Sequence, residues 1–283
     1  MKAIPRKVAN IITPQPVVEG AGVRLKRSIA TRTLDYLDPF LLLDHFQSKN
    51  PADYKAGFPL HPHRGIETVT YLLAGAVRHR DTLGNSGEIT AGDIQWMTAG
   101  RGIMHEEMPQ VRPEGVAGFQ LWVNLPAKLK MTSPRYQNIG AHEIPVLRQA
   151  ESATIRVIAG TVDGVAGPIS GIAADPVYLD VELSPRATFA HPVHRGHTAF
   201  AYVFEGAGRF GAQERPLVQE PRLVVWSDGD TLEVRTEEAP VRFLLVSGEP
   251  LREPVARYGP FVMNTREEIE QTLQELEQGT FAT

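Results

Sequence analysis

The chain has 283 residues, 42% hydrophobic and 22% charged, with no cysteine and a formal net charge of −4. That length suits two domains or one double-sized β domain, and the composition is that of an ordinary globular protein. The charge argues against nucleic acid or an anionic membrane as partner, and the lack of cysteine excludes disulfides, thiolate metal sites and a cysteine nucleophile.

In chain order, the opening MKAIPRKVANIITPQP has no long apolar stretch, so no signal peptide is expected. No later apolar run approaches the roughly 18 residues of a membrane span. A soluble, cytoplasmic, monomeric protein is the expectation. Glycine (25) and proline (22) are scattered and punctuate short apolar runs, a pattern of strands joined by turns.

The first such run is HPHRGIETVTYLLAG, residues 61–75. Alternate side chains of a strand share a face, so His61 and His63 point the same way. AGDIQWM (91–97) follows as a tight turn into a strand, and GRGIMHEEMP (100–109) then places His105 and Glu107 two residues apart. Two strands facing across a barrel would bring three imidazoles and one carboxylate to a point. That set suits a divalent transition ion and leaves coordination positions for substrate or O2. Alternation turns Glu106 away from His105. Glu67 remains a rival carboxylate if the strand runs unbroken through Gly65, and Gly65 is where a bend would spoil that parity.

PAKLKMTSP (126–134) reads as a short helix, and a domain boundary is expected within 126–150. Beyond it, HRGHTAFAYVFEG (194–206) repeats HRGIETVTYLLAG (63–75) with the same His-to-Gly spacing, and DGDTLEV (228–234) echoes AGDIQWM. Two matches in the same order indicate a duplicated β unit. The later copy lacks the His-x-His pair; His191, His194 and His197 alternate faces in a strand, and that half is expected to be metal-free. His45, His79 and His142 have no paired neighbour and are read as structural or exposed. GAGRFG (206–211) fits G-x-G-x-x-G, but AQERPLVQEPRL after it has no helical face, so a glycine-rich hairpin turn is expected instead of a dinucleotide site. NTREEIEQTLQELEQG (264–279) is a helix, with Asn264 or Thr265 as N-cap, early acids and a stop at Gly279.

HPHRGIETVTYLLAGAVRHRD, GDIQWMTAGRGIMHEEMP and GFQLWVNLP, with LDPFLLLDHF (37–46) and GEPLREPVARYGPFVMNT (248–265), resemble the pirin family of the cupin superfamily over residues 20 to 278. The resemblance implies a mainly β bicupin: two jelly-roll β-barrels, taken as residues 1–135 (metal-binding) and 136–283 (metal-free, with the terminal helix). It implies one ion, Fe(II) or else Mn, Ni, Co, Cu or Zn, held by His61, His63, His105 and Glu107. The general cupin pattern uses a Glu four residues after the His-x-His, here Glu67; the pirin pattern leaves that residue near the ion without ligating it. The activity implied is that of a quercetin 2,3-dioxygenase, opening a flavonol ring with O2 and releasing carbon monoxide, with Glu107 or Glu67 as proton acceptor. The alternative implied is a redox-responsive regulator that binds a transcription factor or a metabolic enzyme.

Overall fold

A computed structural model describes residues 3–149, 152–212 and 216–282. Among the described residues the chain is mainly β, with one α-helix, Arg266–Glu277, near its end. It divides into two compact units, and neither is continuous in sequence. The first barrel comprises Gln15–Ala141 and Leu251–Thr283; the second comprises the described residues of Met1–Pro14 and His142–Pro250. This differs from the expected division at 135/136: the segment after Leu251, helix included, belongs with the first barrel.

The physical reason lies in buried polar anchors within that barrel. Arg64, 3% exposed, donates to the Arg101 carbonyl and to Thr272 Oγ1, pairs with Glu275 at 2.6 Å, and lies over the Phe281 ring. Lys130 is also buried, and its ammonium donates to Gly65 O, Asn124 Oδ1 and Val262 O, using all three of its protons. The stretch expected to be a short helix supplies this lysine. It forms only a 3-10 turn, Ala127–Leu129, because the chain must turn inward immediately to bury Lys130. The terminal helix is as expected, and of the two candidate caps Thr265 is the one used: its hydroxyl accepts from Glu268 N, while the Glu268 carboxylate accepts from Thr265 N.

The first barrel is built from two antiparallel sheets. Seven strands run in the order Arg135–Ile139, Ile94–Thr98, Ile66–Ala74, Val116–Asn124, Phe40–Ser48, Val23–Ile29 and Gln15–Glu19. Four strands form the other sheet, in the order Phe58–His63, Ile103–Pro109, Ala76–Asp81 and Ser86–Thr90. In the second barrel the long strand Thr198–Phe210 pairs with Arg222–Trp226 on one side and Val241–Gly248 on the other. The duplication is visible in these pairings. The strand after each His-Arg-Gly has an antiparallel neighbour on either side, Ile94–Thr98 and Val116–Asn124 in the first barrel and Arg222–Trp226 and Val241–Gly248 in the second, but Arg222–Trp226 precedes the Gly229-Asp230 turn, so DGDTLEV is not the structural counterpart of AGDIQWM.

GAGRFG is largely strand. Residues Ala207–Arg209 pair antiparallel with Leu217–Gln219, and no helix begins there. The strand ends at Phe210 and Gly211 takes φ +93°; of the connection from there to Leu217, residues 213–215 lie outside the described residues.

Candidate metal centre

His61 and His63 sit on Phe58–His63, and His105 and Glu107 on Ile103–Pro109. The two strands are hydrogen-bonded neighbours, His61 directly opposite His105 and His63 opposite Ile103, and do not face each other across the barrel as expected. Adjacent strands of one face bring opposed side chains together at once. The register slips between His105 and Glu107, which faces Phe58.

The three imidazoles converge, each offering a nitrogen within 4.8 Å of the others. His61 Nε2 lies 3.1 Å from His63 Nε2, and ring centroids are 4.5 Å apart for His61–His105 and 5.1 Å for His63–His105. His61 Nδ1 is 2.9 Å from the Pro59 carbonyl, so Nδ1 carries the proton and Nε2 presents its lone pair inward. Both ring nitrogens of His105 are buried with no hydrogen-bond partner among the described residues. Burial first, then His105 and His61, push the His63 pKa well below its ordinary value; burial, then His61 and His79, do the same for His105. Three crowded imidazoles, with buried nitrogens of His63 and His105 lacking a hydrogen-bond partner among the described residues, fit a transition ion, whose bond would replace missing hydrogen bonds.

Glu107 is buried beside this group. Its Oε1 accepts from Thr70 Oγ1 at 3.0 Å, and Thr70 Oγ1 is also 3.1 Å from Gln120 Oε1. A hydroxyl has one proton, so both contacts are satisfied when the Gln120 amide is turned to present its nitrogen. Burial pushes the Glu107 carboxyl up, opposed by the nearby His61 and the Thr70 hydrogen bond. Glu106 points outward to Arg80 at 2.6 Å, as alternation requires.

Glu67 is elsewhere. Gly65 has φ +78° and a new strand starts at Ile66, so the parity of His61 and His63 does not carry over. Thr70 faces the cavity; Glu67, three residues earlier, faces the opposite side of the same sheet, where its carboxylate accepts from Thr98 Oγ1 at 2.7 Å. The expectation that Glu67 stands near the histidines is not met.

A cavity of about 500 Å3 opens beside the histidines. His61, His63, Glu107 and Thr70 contribute to its wall, and Leu25, Leu42, Phe46, Phe58 and Val77 make much of the rest apolar. Trp122 also lines it, its ring edge-on to His63 with centroids 5.1 Å apart. Thr70, Gln120 and Trp122 escape a reading of sequence spacing because they come from the other sheet; inward parity on VAGFQLWVN was the available signal. His79, read from sequence as structural or exposed, is buried opposite Glu107 and stacks on Tyr136 with centroids 5.9 Å apart. His45 is a structural residue stacked on Phe119, with burial taking its pKa down to about 3, and His142 is exposed.

Comparison with known proteins agrees with this architecture. The Pirin family model matches residues 22–123, and the Pirin C-terminal cupin domain model matches 178–282. A pirin-like protein of Caulobacter vibrioides is 45% identical over 98% of this chain and 99% of its own length. Human Pirin is 43% identical over 95% of this chain and 91% of its own. The crystal structure of a quercetin 2,3-dioxygenase from Acinetobacter baumannii is 34% identical, covers 98% of this chain and 99% of that one, and superposes with a TM-score of 0.88. In sequence across both barrels and in fold, the chain belongs to the pirin family.

Proposed function

We propose that the protein is a metal-dependent dioxygenase, with Fe(II) as its ion, acting with O2 on flavonol- or enediol-like substrates such as quercetin. The observation carrying this reading is the convergence of three imidazoles, two of them on the wall of an apolar cavity large enough for a substrate of that size. The 34% identity to the Acinetobacter baumannii quercetin 2,3-dioxygenase over nearly the whole chain supports it.

In this reading His61, His63 and His105 would hold the ion, with Glu107 as its fourth ligand. An ion bound there would act as a Lewis acid and as a template for a chelating substrate and O2. The remaining work belongs to the chain. The apolar wall excludes water, and Trp122 and Phe46 offer flat surfaces to a planar ring. Glu107, on the cavity wall, accepts the substrate hydroxyl proton on the oxygen facing Thr70. The Thr70 hydroxyl donates to a carboxylate and accepts from a carboxylic acid, so it suits both states.

The test is Fe(II)-loaded protein with quercetin under O2. Oxygen uptake with carbon monoxide release, lost in His61→Ala, is the expected result. Neither signal from the wild type, or equal rates in His61→Ala, would overturn the reading in favour of a non-enzymatic role such as redox-dependent binding of a protein partner.

A further inference from the structure

The cavity wall holds two arginines, and they are not equivalent. Arg27 is engaged through all three of its nitrogens: Nε and Nη2 donate to the two oxygens of Asp44 at 2.8 and 2.7 Å, and Nη1 donates to Glu19 at 2.7 Å. Arg257 has one hydrogen bond, Nη1 to the Leu41 carbonyl at 3.3 Å, and no ion pair among the described residues. Its guanidinium lies over the Trp122 ring, 5.4 Å from the centroid, and Trp122 meets His63 on another side. Arg257 thus stands one indole away from the histidines, in the same cavity.

Its position is held. Arg257 lies on Ala256–Tyr258, which pairs with Phe261–Met263, and that second strand is fastened beside the histidines: Val262 N donates to the carbonyl of Arg64, the residue after His63. The residue is exposed and lines the cavity wall, and desolvation, then Arg27, lower its pKa. The same side chain borders an adjoining hollow with Asp35 and Tyr36, which puts it at the cavity's edge. Asp35, Asp44 and Glu19 act on it only through space, and the last two are already engaged by Arg27.

We propose that Arg257 is a specificity-determining residue that pairs with a carboxylate on the substrate, so that the preferred substrate is a planar enediol or catechol bearing an acidic group at the end remote from the histidines. This rests on the metal-binding reading above for the substrate's other end. A planar guanidinium with most of its N–H groups unengaged is built for bidentate carboxylate recognition. Trp122 between the two ends provides the face along which an aromatic acid lies.

The test uses matched probes: protocatechuate and caffeate, each against its methyl ester, titrated calorimetrically into Fe(II)-loaded and metal-free protein under anaerobic conditions. At least one acid is expected to bind the wild type about tenfold or more tightly than its ester, the scale of a charge-assisted hydrogen bond. Arg257→Ala is expected to bring that ratio to about one, with ester affinity changed less than about twofold, and Arg257→Lys to retain part of it, since the charge survives and the fork does not. Equal binding of acid and ester by the wild type, a ratio that survives Arg257→Ala, or no binding of either acid would overturn the proposal. Failure of the metal-binding reading shows separately, as ester affinities that are the same with and without Fe(II), and the acid-to-ester ratio remains readable in that case.

Discussion

The two copies of His-Arg-Gly begin strands of the same kind and lead into different interiors. Gly65 and Gly196 both take positive φ, +78° and +80°, and so do the closing Gly75 and Gly206, at +81° and +73°. A Cβ at Gly65 would lie 1.9 Å from Val262 O, and one at Gly206 2.1 Å from Pro240 O, so these glycines serve close backbone approach in both barrels. Tyr71 and Tyr202 are both fully buried. What differs is the content. The first barrel has a cavity edged by His61, His63, Thr70 and Glu107. The second is filled: Phe243 packs against Phe189 and Phe210 with ring centroids 6.0 and 5.5 Å away, and Leu232, Val234 and Trp226 complete the same core. At the offset of the repeat, His61 corresponds to Pro192 and His63 to the exposed His194. One scaffold is solid where the other is hollow, and the cluster of converging imidazoles occurs on the hollow side, where there is space for a ligand to satisfy it.

The comparison is broken or sharpened by substitutions on each side. The largest effect is expected from His105→Ala, which should lower quercetin turnover at least about a hundredfold, since an imidazole ligand cannot be replaced by its neighbours. Rates within a few-fold of wild type would remove His105 from the chemistry. Next, Phe243→Ala in the filled barrel should cost about 3–5 kcal/mol in urea unfolding, while Phe46→Ala on the cavity wall should cost far less, because its side chain already borders space. Equal costs would mean that the two interiors do not differ energetically.

A smaller effect concerns acid. His191 is buried and lies parallel to Phe189, and desolvation takes its pKa from 6.5 down to about 4. The unfolded chain therefore takes up this proton first as pH falls, so stability is lost from about pH 6.5 to about pH 4 and no further below that. The stability lost between pH 7 and pH 4 in urea unfolding should be about 2–3 kcal/mol smaller in His191→Phe than in wild type, the buried His45, His63 and His105 contributing to the loss in both. The smallest effect is local: Thr265→Ala removes the cap of the terminal helix and should cost about 1 kcal/mol, without changing metal content.

Much of this was legible in the sequence, for a physical reason: period-two alternation and glycine placement are local properties. They pointed to His61, His63 and His105 as one group, sent Glu106 outward to Arg80, and marked the His-Arg-Gly repeat and the terminal helix. What stayed hidden depends on chain reversal. Gly65 cancels the parity that would have brought Glu67 to the histidines. Thr70 and Gln120 meet Glu107 from the opposite sheet, and Arg257 arrives from a segment nearly 200 residues after His61 in sequence. The same segment explains the unexpected division of the chain, since Lys130 and Arg64 fix it to the first barrel through side-chain contacts that no local pattern encodes.

The central claim, that the first barrel alone is built for an ion, is tested most directly by the metal content of protein purified anaerobically, with His61→Ala and His194→Ala treated alike. The account predicts about one equivalent of a divalent transition ion in wild type and in His194→Ala, and close to none in His61→Ala. An unchanged metal content in His61→Ala, or loss of the ion in His194→Ala, would contradict it.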